Sequence, residues 1–278
     1  MMHRELYVNS EKYRQLCQWI EAQQRLVVAF SGGVDSTFLM HVATQCIGDS
    51  VTALTVVAPY IARWEIEETK ALSKTYSWPH IFLEAAIDPT VANNPPDRCY
   101  QCKKIIFTNI QLKAKSLGID VVADGSNADD LNDYRPGMKA LNELGISSPL
   151  LAMGITKQEI RSWSQTLGLS TWDKPPYACL LTRLPYDTAV VPADIALIEA
   201  SETYLMRLGF RAVRVRKHGD LARIEVDNLS IPHLVTEEMA LNLSNHLKSL
   251  GFRYVTIDLS GYQMGSFNKT LKSNQANT

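Results

Sequence analysis

Ser31-Gly32-Gly33-Val34-Asp35-Ser36 gathers two glycines, two hydroxyls and a carboxylate into six residues. Adjacent glycines let the backbone curl tightly and approach a ligand closely. Successive N–H groups at the mouth of a helix then point at one spot, which suits a phosphate. Ser31 and Ser36 add hydroxyl donors. A carboxylate repels phosphate unless a cation lies between them, so Asp35 implies Mg²⁺ shared with phosphate oxygens. The loop is not G-x-x-x-x-G-K-[ST], and it contains no lysine. The plain alternative is a serine- and glycine-rich turn joining a strand to a helix.

A second chemical candidate is the C-x-x-C pair Cys99 and Cys102, flanked by Arg98, Lys103 and Lys104. The pattern places it just before a helix over 103–117. A helix N-terminus and nearby lysines lower a thiol's pKa and favour thiolate, the form that binds metal or attacks sulfur. Four readings stay open: a thioredoxin-like redox pair, half a zinc site, coincidence, or part of an iron–sulfur site completed by a distant cysteine. The flanking pattern is wrong for the first, and the second lacks another C-x-x-C. Cys179 lies in the proline-rich stretch 174–186, which can hold a thiol rigidly. Three thiolates can hold a [4Fe–4S] cluster and leave one iron open for an extra sulfide. Cys17 and Cys46 fall in apolar helical patterns and read as packing thiols. Five cysteines with no export signal in residues 1–10 argue against a disulfide framework.

A third candidate is the segment 124–137, dense in carboxylates and turn residues. Asp124 and Asp130 are candidates for holding metal or ATP, and Arg135 for clamping a phosphate or carboxylate. An ordinary polar loop is the alternative.

These residues need a scaffold, and the hydrophobic periodicity supplies one. Apolar runs at 26–30, 51–57, 80–84 and 119–123 read as strands. Amphipathic stretches at 13–20, 37–46, 63–76 and 103–117 read as helices between them, and Ser10 is a candidate N-cap. Alternating strands and helices imply an α/β fold with a parallel sheet, helices on both faces and ligands beyond the carboxyl ends of the strands. Thr156-Lys157-Gln158-Glu159 fits a capping box opening a helix to about Gly168. The pattern then changes to helix 193–208, strands 211–217 and 222–226, helix 236–250 and strand 252–259. That is a small α+β domain. The expected organisation is 1–185 for the nucleotide domain, 186–270 for the small domain, and a disordered tail over 271–278.

Hydrophobic residues make up 46% of the 278, enough for a sizeable core. The net charge of −1 offers no basic field for nucleic acid. No apolar run approaches the roughly 20 residues of a membrane span. The expectation is a cytoplasmic protein with neither a membrane nor a nucleic acid partner. His41 and His80 read as packing or surface residues.

The hexapeptide resembles the pyrophosphate loop of the ATP pyrophosphatase superfamily, which splits ATP between its α- and β-phosphates and adenylates a substrate. Further motifs accompany it: D-G-x-N-x-D-D-x-x-D-Y-R-P-G from Asp124, A-C-x-x-x-R-x-P-Y from Ala178, and R-V-R-x-H-x-D-x-A-R-I-E from Arg214. Together they resemble the LarE family of ATP-dependent sulfur transferases, over nearly the whole chain. That resemblance implies a Rossmann-like ATP pyrophosphatase domain with ATP and Mg²⁺ on Ser31, Gly32, Gly33, Asp35, Ser36, Asp124, Asn127, Asp130 and Arg135. It implies adenylation of a carboxylate of pyridinium-3,5-biscarboxylic acid mononucleotide, then conversion to a thiocarboxylate for the nickel-pincer cofactor of lactate racemase. Some members surrender the sulfur of the cysteine matching Cys179. Cys99 and Cys102 depart from that pattern and resemble the three-cysteine type, whose [4Fe–4S] cluster carries the sulfur. Arg214 and Arg216 then suit the substrate phosphate, although a solvated strand face would be the reading without the resemblance. Thr182 and Arg183 would orient the acyl-adenylate. Glu202 and Glu225 match acidic metal-holding positions, and His233 stands where some members have a third acid. A homo-oligomer and an upstream sulfur donor are also implied. The alternatives are tRNA thiolation, a GMP-synthetase-like amidating ligase and a nucleotide sensor.

Overall fold

The computed structural model describes residues 5, 6, 9–132 and 136–262. Helix α1 (Glu11–Gln23) is capped as the sequence predicts, because Ser10 Oγ accepts from Tyr13 N. Then follow β1 (Leu26–Ala29), α2 (Val34–Ile47), β2 (Val51–Val57), α3 (Arg63–Tyr76), β3 (His80–Glu84), α4 (Arg98–Ser116) and β4 (Val122–Ala123). Helices α5 (Pro136–Glu143), α6 (Pro149–Ala152) and α7 (Lys157–Thr166) complete the run, with a 3-10 turn at Ala128–Asn132 ahead of α5. Among the described residues, no helix is long and apolar enough to cross a membrane.

The four strands form a parallel sheet in the order β3-β2-β1-β4. Strand alternation explains why helices cover both faces. Leu26, Val28, Val51 and Ala53 pack with Tyr13, Ile20, Phe38 and Ile160 in one core. Val27, Leu54 and Val56 pack with Phe107, Ile110, Ala114 and Leu141 in another. Strand order reverses beside β1, where the chain runs outward to β2 and β3 on one side and returns as β4 on the other. A crevice opens at such a switch point, beyond the carboxyl ends of the strands. The loops leaving β1 and β4 are residues 31–36 and the segment after Ala123.

Three boundaries differ from the sequence expectation. Strand β4 has two residues rather than five, because Ile119 N still closes α4 on Ala114 O, with Gly118 at φ +68°. Helix α2 begins at Val34, not Thr37, so Asp35 lies in its first turn. Helix α4 begins at Arg98 and takes in both cysteines that were expected in front of it.

The chain divides into two compact units. One comprises the described residues up to Thr90 together with Asp97–Tyr177. The other comprises Val91–Pro96 and the described residues from Ala178 onward. The division thus falls ahead of the 185/186 boundary expected from sequence, and a short upstream segment joins the second unit. Asn94 explains that excursion. Fully buried, it donates from its side-chain amide to the carbonyls of Pro185 at 2.8 Å and Leu184 at 3.1 Å. Val190 N also donates to Ala92 O at 2.7 Å.

The second unit contains α8 (Pro192–Arg207), β5 (Arg214–His218), β6 (Leu221–Glu225), α9 (Ile231–Leu234), α10 (Glu237–Leu250) and β7 (Tyr254–Ile257). A tight turn with Gly219 at φ +59° makes β5 and β6 antiparallel. The helical crossover through α9 and α10 returns β7 parallel to β6. Leu205, Val215, Ile224, Leu247 and Phe252 fill this unit's core. The tail expected over 271–278 lies outside the described residues.

His80 is a packing residue. Its Nε2 lies 2.8 Å from Thr55 Oγ1 and its Nδ1 2.5 Å from Ser73 Oγ. Thr55 in turn donates to Phe30 O at 2.5 Å, just ahead of the glycine loop. Burial lowers the His80 pKa from 6.5 to about 4. Between those values the unfolded chain binds the extra proton and the folded one does not. Folding stability from this site is therefore expected to be complete above pH 6.5 and to fall as pH drops toward about 4. Urea midpoints of wild type and His80→Asn across that window check this: the wild-type decline should be shallower in the variant.

Candidate active site

The glycine loop turns where only glycine turns readily. Gly32 has φ +67°, and a methyl group added there would stand 2.8 Å from Thr69 Cγ2 on α3. Gly33 is extended and precedes the first turn of α2. Ser31 and Ser36 close the loop on itself, with their hydroxyl oxygens 3.1 Å apart and Ser31 N donating to Ser36 Oγ at 3.3 Å. Gly125 brings the β4 exit loop against this turn. A methyl there would lie 3.0 Å from Ser36 N and 3.2 Å from Asp35 Cβ. The two loops expected to face one ligand are thus in direct contact.

Two lysines that sequence reasoning missed supply the positive charge the loop lacks. Lys157, the first residue of α7, places Nζ 2.6 Å and 2.8 Å from the two carboxylate oxygens of Asp35. Lys174 Nζ donates to Gly32 O at 2.9 Å and pairs with Glu68 at 2.5 Å. Each lies more than 120 residues from its partner on the loop. The sequence signal at Lys157 was the capping box, which the structure contains in full. A lysine at the first position of a helix entered from the ligand-binding edge of an α/β sheet could have been singled out on that ground.

The acidic segment builds its own shape. Asp124 is buried and accepts from Ser126 Oγ at 2.5 Å and Ser148 Oγ at 2.6 Å. Lys103 Nζ lies 4.0 Å from it. Asp130 Oδ2 accepts from Asn127 N, and Asn127 Oδ1 accepts from Asp129 N, each at 3.0 Å. Asp129 Oδ2 accepts from Lys157 N at 2.7 Å and so joins this turn to α7. Arg135 lies outside the described residues.

Cys99 and Cys102 are three residues apart on α4 and share a face of the helix. Cys99 is exposed, and Cys102 is partly buried with its thiol 3.4 Å from Tyr60 OH. The sequence reading expected a lowered thiol pKa. At Cys102 burial pushes the pKa up, and the Tyr60 bond and nearby Arg98 and Lys103 oppose this without overcoming it. Because α4 starts at Arg98, Cys102 stands past its first turn, where free N–H groups are fewer. Among the described residues, no three His, Cys, Asp or Glu side chains are gathered as metal ligands. Cys17 is buried in the core of the first unit, and Cys46 packs against it.

In the second unit Cys179 precedes a 3-10 turn at Leu180–Arg183. Its carbonyl accepts from Thr182 Oγ1 at 2.9 Å and from Arg183 Nη1 at 3.3 Å. Arg183 is only 2% exposed and makes a two-point pair with Glu202, at 2.8 Å and 3.0 Å. Glu202 also accepts from Val215 N at 2.8 Å. Arg216 makes the same kind of pair with Glu225, at 2.5 Å and 2.8 Å, and donates to Thr182 O at 2.6 Å. Arg214 sits 4.9 Å from the Tyr262 ring centroid, and burial lowers its pKa. Neither Arg214 nor Arg216 lies on a solvated face, because both are buried. His233 lies on α9, stacked at 5.6 Å on Phe210. The arrangement fixes the backbone around Cys179 by two buried arginine–glutamate pairs. Removing one partner strands the other charge. Arg183→Met is therefore expected to destabilise the chain by about 3–5 kcal/mol, with partial recovery on adding Glu202→Leu. Urea midpoints of the two variants check it.

No family model matches the chain. Individual proteins do. An uncharacterized protein of Synechocystis sp. is 39% identical over 262 residues, covering 94% of this chain and 98% of that protein. The pyridinium-3,5-bisthiocarboxylic acid mononucleotide synthase of Lactiplantibacillus plantarum is 38% identical over 258 residues, covering 92% and 93%. An uncharacterized protein of Methanocaldococcus jannaschii is 30% identical over 240 residues, covering 86% and 91%. Likeness at that level along nearly the whole of both chains places this chain in the LarE family, the family of the Lactiplantibacillus plantarum synthase.

Proposed function

We propose that this chain is an ATP-dependent sulfur transferase that converts a carboxylate of pyridinium-3,5-biscarboxylic acid mononucleotide into a thiocarboxylate, releasing AMP and pyrophosphate. The observation that carries the reading is the match to the named synthase along nearly the full length of both proteins. A carboxylate resists nucleophiles because oxide is a poor leaving group, and adenylation replaces it with AMP. The loop around Gly32 suits the triphosphate, since a glycine turn leads straight into the first turn of a helix, where backbone N–H groups lack intrahelical partners. The Lys157 ammonium against Asp35 marks a position that accepts a cation, which fits Mg²⁺. Bound there, Mg²⁺ would neutralise charge on the departing pyrophosphate. Lys157 and Lys174 add positive charge at the same loop.

Cys99, Cys102 and Cys179 would hold a [4Fe–4S] cluster, which supplies an open iron for a transferable sulfide. The shared helix face of Cys99 and Cys102 fits two thiolate ligands of one group. Sulfur must come within ~3–3.5 Å of the activated carbon. Thr182 and Arg183, beside Cys179, would orient the acyl-adenylate, and Arg214 and Arg216 the substrate phosphate. Anaerobic incubation of the reconstituted enzyme with ATP, Mg²⁺, excess sodium sulfide and the pyridinium mononucleotide tests the proposal. The substrate should gain the mass of an oxygen-to-sulfur exchange as AMP accumulates. Product exceeding one per chain supports a sulfur carried on the cluster. Product limited to one, with loss of sulfur from Cys179, would assign the sulfur to that residue. AMP release with unchanged substrate mass would overturn sulfur transfer.

A further inference from the structure

We propose that Lys157 is the resident counter-ion of Asp35, and that a divalent metal reaches Asp35 only together with nucleotide phosphate, which receives the displaced ammonium. The inference rests on the ATP-dependent reading above and concerns how its metal enters. Lys157 Nζ contacts both carboxylate oxygens of Asp35, at 2.8 Å and 2.6 Å. The pair is only partly exposed, 34% for the lysine side chain and 23% for the aspartate. The anchor of Lys157 is fixed while its head is on a tether. Its backbone N donates to Asp129 Oδ2, the Thr156/Glu159 capping box starts α7, and Ile160 is buried one turn on. Four methylenes connect that anchor to the ammonium, so the head can move without α7 moving.

The charges then dictate an order of events. A divalent ion arriving alone must displace a cation that is already well paired. It also leaves that ammonium close to a new double positive charge, which is strongly unfavourable at partial burial. An ion arriving on a triphosphate brings the anion that accepts the ammonium. Lys157 would therefore give up Asp35 for a phosphate oxygen, leaving the Asp35 carboxylate to hold the metal. The exchange transfers no electrons and breaks no covalent bond.

Mn²⁺ alone, in place of Mg²⁺, is the probe, followed by its electron paramagnetic resonance signal and by retention on ultrafiltration. Wild-type enzyme without nucleotide is expected to retain Mn²⁺ weakly. Lys157→Gln, which keeps the backbone bond to Asp129, should bind it about tenfold tighter. Lys157→Arg should stay near wild type, and adding Asp35→Asn to Lys157→Gln should erase the gain. With α,β-methylene ATP present, wild type should retain Mn²⁺ as well as the Gln variant does. Equal nucleotide-free binding by wild type and Lys157→Gln overturns the proposal. Tight nucleotide-free binding by wild type overturns it too, whether or not the variant folds. Failure of wild type to bind α,β-methylene ATP would instead count against the ATP reading, and the nucleotide-free arms would still report on Lys157.

Discussion

Asp35→Ala is expected to remove AMP and pyrophosphate formation almost entirely while leaving the fold in place. The carboxylate stands in the first turn of α2, beside the glycine loop, already holding a cation in the form of Lys157. In the proposed reaction it holds the metal that offsets charge on the leaving pyrophosphate, a stabilisation needed most in the transition state. Losing it should lower kcat by roughly 10²–10³-fold or more. The fold has less at stake. The Lys157–Asp35 pair is partly exposed, so water can take over the freed ammonium and the stability change should stay near about 1 kcal/mol. Pyrophosphate release and a urea midpoint, measured on the same preparation, separate the two effects. Release at the wild-type rate would remove Asp35 from the chemistry, and a collapsed midpoint would make it a structural residue.

Cys99→Ala is expected to abolish most iron and acid-labile sulfide after anaerobic reconstitution. Cys99 is exposed at the start of α4, so its removal opens no cavity and should leave stability within about 0.5 kcal/mol of wild type. A three-thiolate site that loses one ligand loses most of its hold on the cluster. Cys46→Ala is the control, because Cys46 packs against the core of the first unit and lies outside the proposed ligand set. It should reconstitute fully. Full iron content in Cys99→Ala would remove that thiol from the ligand set and leave an ATP-dependent enzyme whose sulfur comes from elsewhere.

Much of the scaffold was legible because local patterns agree with the fold that forms. Ser10 and Thr156 read as caps and are caps. Apolar runs in the first half became a parallel sheet, and its two cores are filled by alternate strand residues. Where the reading slipped, a local rule met a tertiary one. Residues 119–121 carry strand propensity, but Ile119 is engaged in closing α4. Residues 91–96 carry no periodicity and fall within the nucleotide domain expected over 1–185, whereas they belong to the second unit. Asn94 joins them to the second unit through carbonyls 90 and 91 residues away. Cys102 was read from its helix-start position, and burial beside Tyr60 reversed the expected direction of its pKa.

The chemistry divides in the same way. Residue types and short spacings determined the glycine loop, its carboxylate, the cysteine pair and the strand–loop–helix order, because each depends on neighbours a few positions apart. Only the tertiary structure decided which distant charges meet. It brought Lys157 to Asp35 and Lys174 to Gly32, and joined Arg183 to Glu202 and Arg216 to Glu225. Charged side chains pair across any sequence separation. Their partners are set by where sheet and helices place them, and no local pattern along the chain records that.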